Sequence, residues 1–135
     1  MTEQELIKKY LGIPYKHLGR TMEGLDCYGF NILAYRDLGF ELFDIEYERN
    51  WASKGKNYML ENYYRQWEPL KKPIMLFDVV TFKRDKDSEM VSHAGLILTD
   101  NRFIHCCRQG VLVSRLSDGS WLELLDDYYH LKERI

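Results

Sequence analysis

Ser92-His93-Ala94-Gly95-Leu96-Ile97-Leu98-Thr99-Asp100-Asn101-Arg102-Phe103-Ile104-His105-Cys106-Cys107 reads as two strands joined by a turn, and its register decides what the fold can bring together. The flanking runs are apolar, and Thr99-Asp100-Asn101 between them is a turn-forming cluster. With those three residues as the loop, Leu98 faces Arg102 and His105 faces Gly95, while His93 lies two positions from Gly95 on the same face. The two imidazoles are then diagonal neighbours, roughly 7–8 Å apart at their Cα atoms and within ring-to-ring reach. Gly95 leaves space opposite His105 for that approach. A two-residue loop at Asp100-Asn101 instead sends the histidines to opposite faces and forbids a pairing.

Outward from this hairpin, strand-like runs cover Ile74 to Phe82, Val91 to Leu98, Phe103 to Cys107 and Val111 to Leu116. Lys83 to Glu89, between the first two, reads as a solvated turn. The amino-terminal part has helical spacing. Thr2 with Glu5 forms a capping-box pattern ahead of Leu6, Ile7 and Tyr10, and the helix stops at Gly12. A second helix from Asp26 to Leu38 carries Phe30, Leu33, Ala34 and Leu38 on one stripe, with Gly39 just past its end. A third is expected around residues 57 to 67. The end from Trp121 to Ile135 suits either an edge strand or a short helix. Helices followed by sequential strands with short connections predict an α+β fold with an antiparallel sheet, since parallel strands need long crossovers.

The chain has 135 residues, 45% hydrophobic and 30% charged, enough for one core and one domain over residues 1–135. Nineteen basic against twenty-one acidic residues give a net charge of −2, which carries no footprint for nucleic acid or an anionic membrane. No window approaches the roughly 20 apolar residues that span a bilayer. Three cysteines do not make a disulfide scaffold, and the polar start MTEQELIKKY is unlike a signal peptide, so synthesis in a reducing cytoplasm with free thiols is expected.

Cys27 falls at the start of the second helix, where unpaired N–H groups and a partial positive charge bias a thiol toward thiolate. The bland alternative is a small buried apolar residue. With His93 and His105 on one sheet face, the chemical reading is a nucleophile, a general base and an orienting third residue, in that chain order. Zinc held by the two histidines and Cys107 is the competing reading, set back by the lack of C-x-x-C or H-x-x-x-H spacing. Cys106 and Cys107 are expected to alternate in and out of the sheet. Tyr28, Trp51, Tyr58, Tyr63, Tyr64 and Trp67 either line a cleft or fill the core.

These residues resemble the NlpC-type cell-wall cysteine peptidases, which have a papain-like core. Gly12-Ile13-Pro14-Tyr15, then Gly19-Arg20-Thr21 and Gly24-Leu25-Asp26-Cys27-Tyr28-Gly29-Phe30, are similar to the family's entry into its nucleophile helix. Ser92 to Leu98, Arg102-Phe103-Ile104-His105 and Phe77 to Phe82 resemble its later strands, so the likeness covers about residues 10 to 116. It implies a papain-like fold, Cys27 as nucleophile, His93 as base and His105 as orienting residue, without metal or organic cofactor. It also implies hydrolysis of a peptide bond in peptidoglycan stem peptides. Tyr15 either takes an active-site position or packs on the first helix, and Asp26 either caps the second helix or contacts substrate. Tyr28 stands where the family has a serine that grips substrate. There is no glycine before Asp78, and Leu18 stands where glycine or a polar residue is common.

Tyr28 with Tyr35-Arg36 and Gly39 to Leu42 looks like the bacteriophage-tail branch, which implies tail or secretion-machine partners and a virion-borne or envelope-delivered enzyme. A non-catalytic tail adaptor that retains the fold is the alternative reading.

Overall fold

The computed structural model describes residues 1–44 and 67–132. Helix α1 (Glu3–Tyr10) begins with the expected capping box. Thr2 Oγ1 accepts from the Glu5 N–H, and Glu5 Oε1 accepts from the Thr2 N–H, each at 3.1 Å. Leu6 and Tyr10 form its buried stripe. A two-residue hairpin, β1 (Arg20–Thr21) and β2 (Gly24–Leu25), then leads into α2 (Cys27–Asp37), which is buried along Tyr28 to Tyr35. Gly39 follows the helix in the left-handed region at φ 96°.

The remaining elements are β3 (Trp67–Leu70), β4 (Val79–Lys83), β5 (Val91–Ile97), β6 (Arg102–Cys107), β7 (Gly110–Arg115), the short helix α3 (Gly119–Leu124) and β8 (Leu125–Leu131). Strands β3 to β8 form one antiparallel sheet in the order β3-β8-β4-β5-β6-β7. Phe30, Ala34 and Tyr35 of α2 share a core with Val79, Ala94, Leu96 and Ile104. A smaller cluster of Val80, Phe82, Ile97, Phe103 and Leu116 is covered by Trp121 and Leu124 of α3. Among the described residues no helix is long and apolar enough to cross a membrane.

The structure departs from the sequence reading in two places. Strand β4 begins at Val79 and not at Ile74, because the Asp78 carboxylate folds the preceding segment into a turn. It accepts from the N–H groups of Ile74 and Met75 at 2.8 and 2.9 Å, and Phe77 sits in the left-handed region at φ 71°. The carboxyl end supplies both a helix and a strand, and β8 lies inside the sheet, leaving β3 at the edge. The helix expected over 57–67 lies outside the described residues except for Trp67, which opens β3.

The decisive register is the three-residue one: Gly95 pairs with His105, Leu96 with Ile104 and Ile97 with Phe103. Asp100 and Asn101 both take φ 59°, a conformation that short polar side chains tolerate. Thr99, the extra residue, is held from outside the ladder. Its N–H donates to Glu3 Oε1 at 2.6 Å, and Arg102 reaches the same carboxylate at 3.3 Å, so α1 clamps the loop. A Cβ on Gly95 would stand 2.9 Å from both His105 Cβ and the Ile104 carbonyl oxygen. Gly95→Ala is therefore expected to cost about 1–3 kcal/mol through overpacking, measured by urea denaturation; an unchanged midpoint would show that β5 and β6 can part freely.

Candidate active site

Asp26 builds the start of α2. Its carboxylate is buried, and Oδ1 accepts from the Gly29 N–H at 2.7 Å and from Arg20 Nη1 at 2.8 Å, while Oδ2 accepts from the Leu18 N–H at 3.0 Å. Gly29 is needed in that first turn, since a Cβ there would lie 1.9 Å from the Gly19 carbonyl oxygen. Of the two roles open to Asp26, the geometry carries the cap, and the substrate contact has no exposed carboxylate to make it.

This helix start meets the sheet where β5 and β6 part. Their ladder ends at Gly95 and His105, and one step further Ala94 and Cys106 are no longer paired. The backbone N–H groups of Ala94 and Tyr28 reach the Cys27 sulfur there, and Cys106 Sγ donates to the Leu25 carbonyl at 3.0 Å. Cys27, partly buried, thus borders the same opening as the residue next to His93.

The imidazoles meet as the register requires. His93 Nε2 and His105 Nδ1 are 2.7 Å apart, and His105 Nε2 is 2.8 Å from Ser114 Oγ on β7. One tautomer assignment lets His93 accept a proton at Nδ1. His93 carries its proton on Nε2 and donates to His105, and His105 carries its own on Nε2 and donates to Ser114. Ser114 was not singled out by sequence; its only signal is its place on the strand after His105. Trp121 was equally hidden. Its indole stacks on His93 with ring centroids 5.4 Å apart at 26° and meets His105 edge-on at 4.8 Å.

Burial sets the charge state. It pushes the Cys27 thiol up to about 12, the neighbouring Asp26 carboxylate adds to the rise, and the Ala94 and Tyr28 N–H groups only partly offset it. Burial lowers His93 to about 4, and burial with the adjacent His93 lowers His105 to about 2. Burial thus opposes the thiolate bias expected at a helix start and favours a neutral thiol and a neutral imidazole.

Tyr15 is 39% exposed, and burial, Asp26 and Cys27 all raise its phenol, which places it at the mouth of the site. Tyr28 is turned into the core. It is 2% exposed, its hydroxyl donates to the Phe43 carbonyl, and Arg20 lies over its ring at 5.9 Å. Trp67 is also core, edge-on to Tyr35 at 4.9 Å, while Trp51, Tyr58, Tyr63 and Tyr64 lie outside the described residues. Cys106 is buried and Cys107 partly exposed, alternating as expected. The zinc reading needed Cys107 beside the imidazoles, but its sulfur faces Gln109 Oε1 at 3.5 Å and the Gly110 carbonyl at 3.7 Å.

Comparison with known proteins places this geometry in context. The NlpC/P60 family model matches residues 12–128. The chain is 28% identical over 116 residues to the probable endopeptidase NlpC of Escherichia coli K12, covering 85% of this chain and 67% of that protein. It is 29% identical over 114 residues to the probable peptidoglycan endopeptidase LytE of Bacillus subtilis 168, covering 84% of this chain and 29% of that one. It is 27% identical over 112 residues to the murein DD-endopeptidase/LD-carboxypeptidase MepS of Escherichia coli K12, covering 82% and 51%. The chain thus spans between under a third and two thirds of these relatives. Among solved structures, an NlpC/P60 family protein from Bacillus cereus ATCC 10987 superposes with a TM-score of 0.72 at 22% identity, over 97% of this chain and 40% of that one. The NlpC/p60 domain of the peptidoglycan hydrolase SagA does so with a TM-score of 0.60 at 18% identity, over 95% and 94%. The fold is thus the α+β, papain-like one anticipated from sequence, and with 117 of its 135 residues matched, the chain belongs to the NlpC/P60 family.

Proposed function

We propose that the protein is a cysteine endopeptidase that hydrolyses peptide bonds in peptidoglycan stem peptides. The observation that carries this reading is the 2.7 Å His93–His105 bond beside the capped helix start that holds Cys27. The names of the relatives supply the substrate class. Cys27 attacks the scissile carbonyl carbon as its S–H proton passes to His93 Nδ1. Backbone N–H groups at the helix start stabilise the oxyanion. The intermediate collapses to a thioester as His93 returns the proton to the leaving amine, and a water deprotonated by His93 then releases the acid. His105 holds His93 in the productive tautomer throughout. Tyr15 lines the substrate side, and the chemistry calls for no metal or organic cofactor.

A finer reading makes the enzyme a phage-tail component or a secretion-delivered effector, with tail or secretion-machine partners. It rests on Tyr28, Tyr35-Arg36 and Gly39 to Leu42 alone.

Cys27→Ala is expected to abolish release of stem-peptide fragments from purified peptidoglycan, read by chromatography, with little change in melting temperature. Fragment release by the wild type that survives in this variant would sink the mechanism, and a wild type with no turnover would favour the adaptor reading. His93→Ala should remove turnover, whereas His105→Ala should leave a measurable remainder, because an orienting residue carries no proton; equal and total losses in kcat would contradict that division.

The charge state gives a signed pH dependence. A thiol raised to about 12 is protonated at neutral pH, so Cys27 alkylation by iodoacetamide, corrected with Cys27→Ala for Cys106 and Cys107, should keep rising with pH beyond the free-cysteine value of about 8.5. A rate that levels off below pH 7 would mean a stored thiolate and reverse the assignment.

A further inference from the structure

Two imidazoles joined by a hydrogen bond expose their flat faces, and a ring free to turn about χ2 can lose its partner. In this protein those faces are walled by aromatic side chains. Phe103 lies 4.3 Å from His105 at 31°, and Phe82 lies 6.0 Å from His93 at 37°. The outer wall is Trp121, which touches both imidazoles and also packs on Phe82 at 5.0 Å and Phe103 at 5.4 Å. Phe82 and Phe103 are fully buried strand residues and His105 is buried, whereas Trp121 and His93 are both partly exposed, so the indole covers one flank of the imidazole pair and leaves part of His93 open.

Its helix rests on the sheet through few side chains. No residue of α3 is fully buried, and Leu122 is 60% exposed. Trp121 and Leu124 are the α3 side chains that pack on the cluster below. Asp118 caps the helix through the Ser120 N–H at 3.1 Å, which fixes where the indole is delivered.

We propose that Trp121 is a positioning residue for His93, its indole holding the imidazole in the plane that keeps Nε2 on His105 and leaves Nδ1 for proton exchange. This rests on His93 being the base of the proposed reaction. The indole also withholds water from the ring, which acts in the direction burial gives for His93. The titratable group in contact with His93 is His105 from β6, and no charged side chain among the described residues adds to burial in setting its proton affinity.

The test compares wild type, Trp121→Phe, Trp121→Leu and Trp121→Ala by NMR titration of the labelled His93 ring, alongside kcat and KM on stem peptide. In Trp121→Ala the His93 midpoint should climb from about 4 toward the free value of about 6.5, and the acid limb of kcat/KM should move with it. The ring nitrogen shifts should turn from an Nε2–H tautomer to a mixture, and kcat should fall about 10–100-fold at neutral pH with KM changed far less. Trp121→Phe, which keeps a flat ring, should stay near wild type, and Trp121→Leu, which keeps apolar bulk without one, should show the tautomer mixture even where Trp121→Ala does not fold. A lower melting temperature with unchanged midpoint and tautomer in both Ala and Leu variants would make the indole a structural plug only and overturn the proposal. The titration needs no turnover, so a shifted midpoint in a protein without hydrolysis would fault the proposed activity and leave the positioning role standing.

Discussion

The pairing of Gly95 with His105 is the constraint on which the site depends. Strand side chains alternate with a period of two, so one residue more or less in the β5–β6 loop would send His93 and His105 to opposite faces. The loop therefore has to be held at three residues, and the chain does so by non-local means. Asp100 and Asn101 supply the left-handed turn, and Glu3, nearly a hundred positions away, binds the odd residue, Thr99. With that parity fixed, the missing side chain at position 95 lets β5 and β6 approach closely, and the ladder can end just where the start of α2 enters.

Two opposing effects act on the Cys27 thiol, and their sizes decide which charge state burial favours. A helix terminus favours an anion by about 0.3–1 kcal/mol, whereas removing a charge from water costs several kcal/mol even after relaxation. With Asp26 adding its own negative charge, desolvation wins, and the thiol stays protonated. The same burial keeps both imidazoles neutral, so each hydrogen bond in the His93–His105–Ser114 chain joins uncharged groups. Charge separation then belongs to the step in which sulfur attacks, when the oxyanion forms beside donors already in place. The reaction proposed for Cys27 then draws on no stored ion pair; it depends on a base whose free nitrogen is aimed correctly, which places weight on whatever orients His93.

What could be read from the sequence was what depends on neighbours in the chain: the capping box of Thr2 and Glu5, the helix opening at Cys27, the place of the β5–β6 turn and the alternation of Cys106 and Cys107. The parts that escaped it depend on which distant surface a side chain meets. Trp121 sits in a short helix with no apolar periodicity of its own, and only the cluster beneath it gives it a position. Tyr28 occupies a position that suggests substrate contact, yet its ring is large enough to pack inward and its hydroxyl finds the Phe43 carbonyl. Strand β8 enters the middle of the sheet between β3 and β4, a placement that sequential strand order cannot reveal.

Two departures from the family's pattern acquire a common physical meaning. Leu18 stands where glycine or a polar residue is common and Phe77 where a glycine is expected, and both take left-handed φ values, 57° and 71°. For a residue with a Cβ this costs roughly 1–2 kcal/mol, so each must be held by its surroundings. Leu18 donates its N–H to Asp26, the carboxylate that caps the nucleophile helix. Phe77 donates to the Ile97 carbonyl at 2.8 Å, its own carbonyl accepts from the Tyr35 hydroxyl, and the next residue, Asp78, is paired with His130 at 2.7 Å. Both corners therefore join a strained backbone residue to a buried carboxylate, one at the start of α2 and one at the start of β4. The two strands that follow, β4 and β5, run antiparallel and set Phe82 opposite His93. The strain at position 77 is thus borne by the same strand that supplies the inner wall of the imidazole pair, and the strain at position 18 by the carboxylate that orients Cys27. A glycine at either place would reach the same path without strain, but it would leave the segment freer in the unfolded chain. The side chains found here trade conformational strain in the folded state for a smaller loss of entropy on folding.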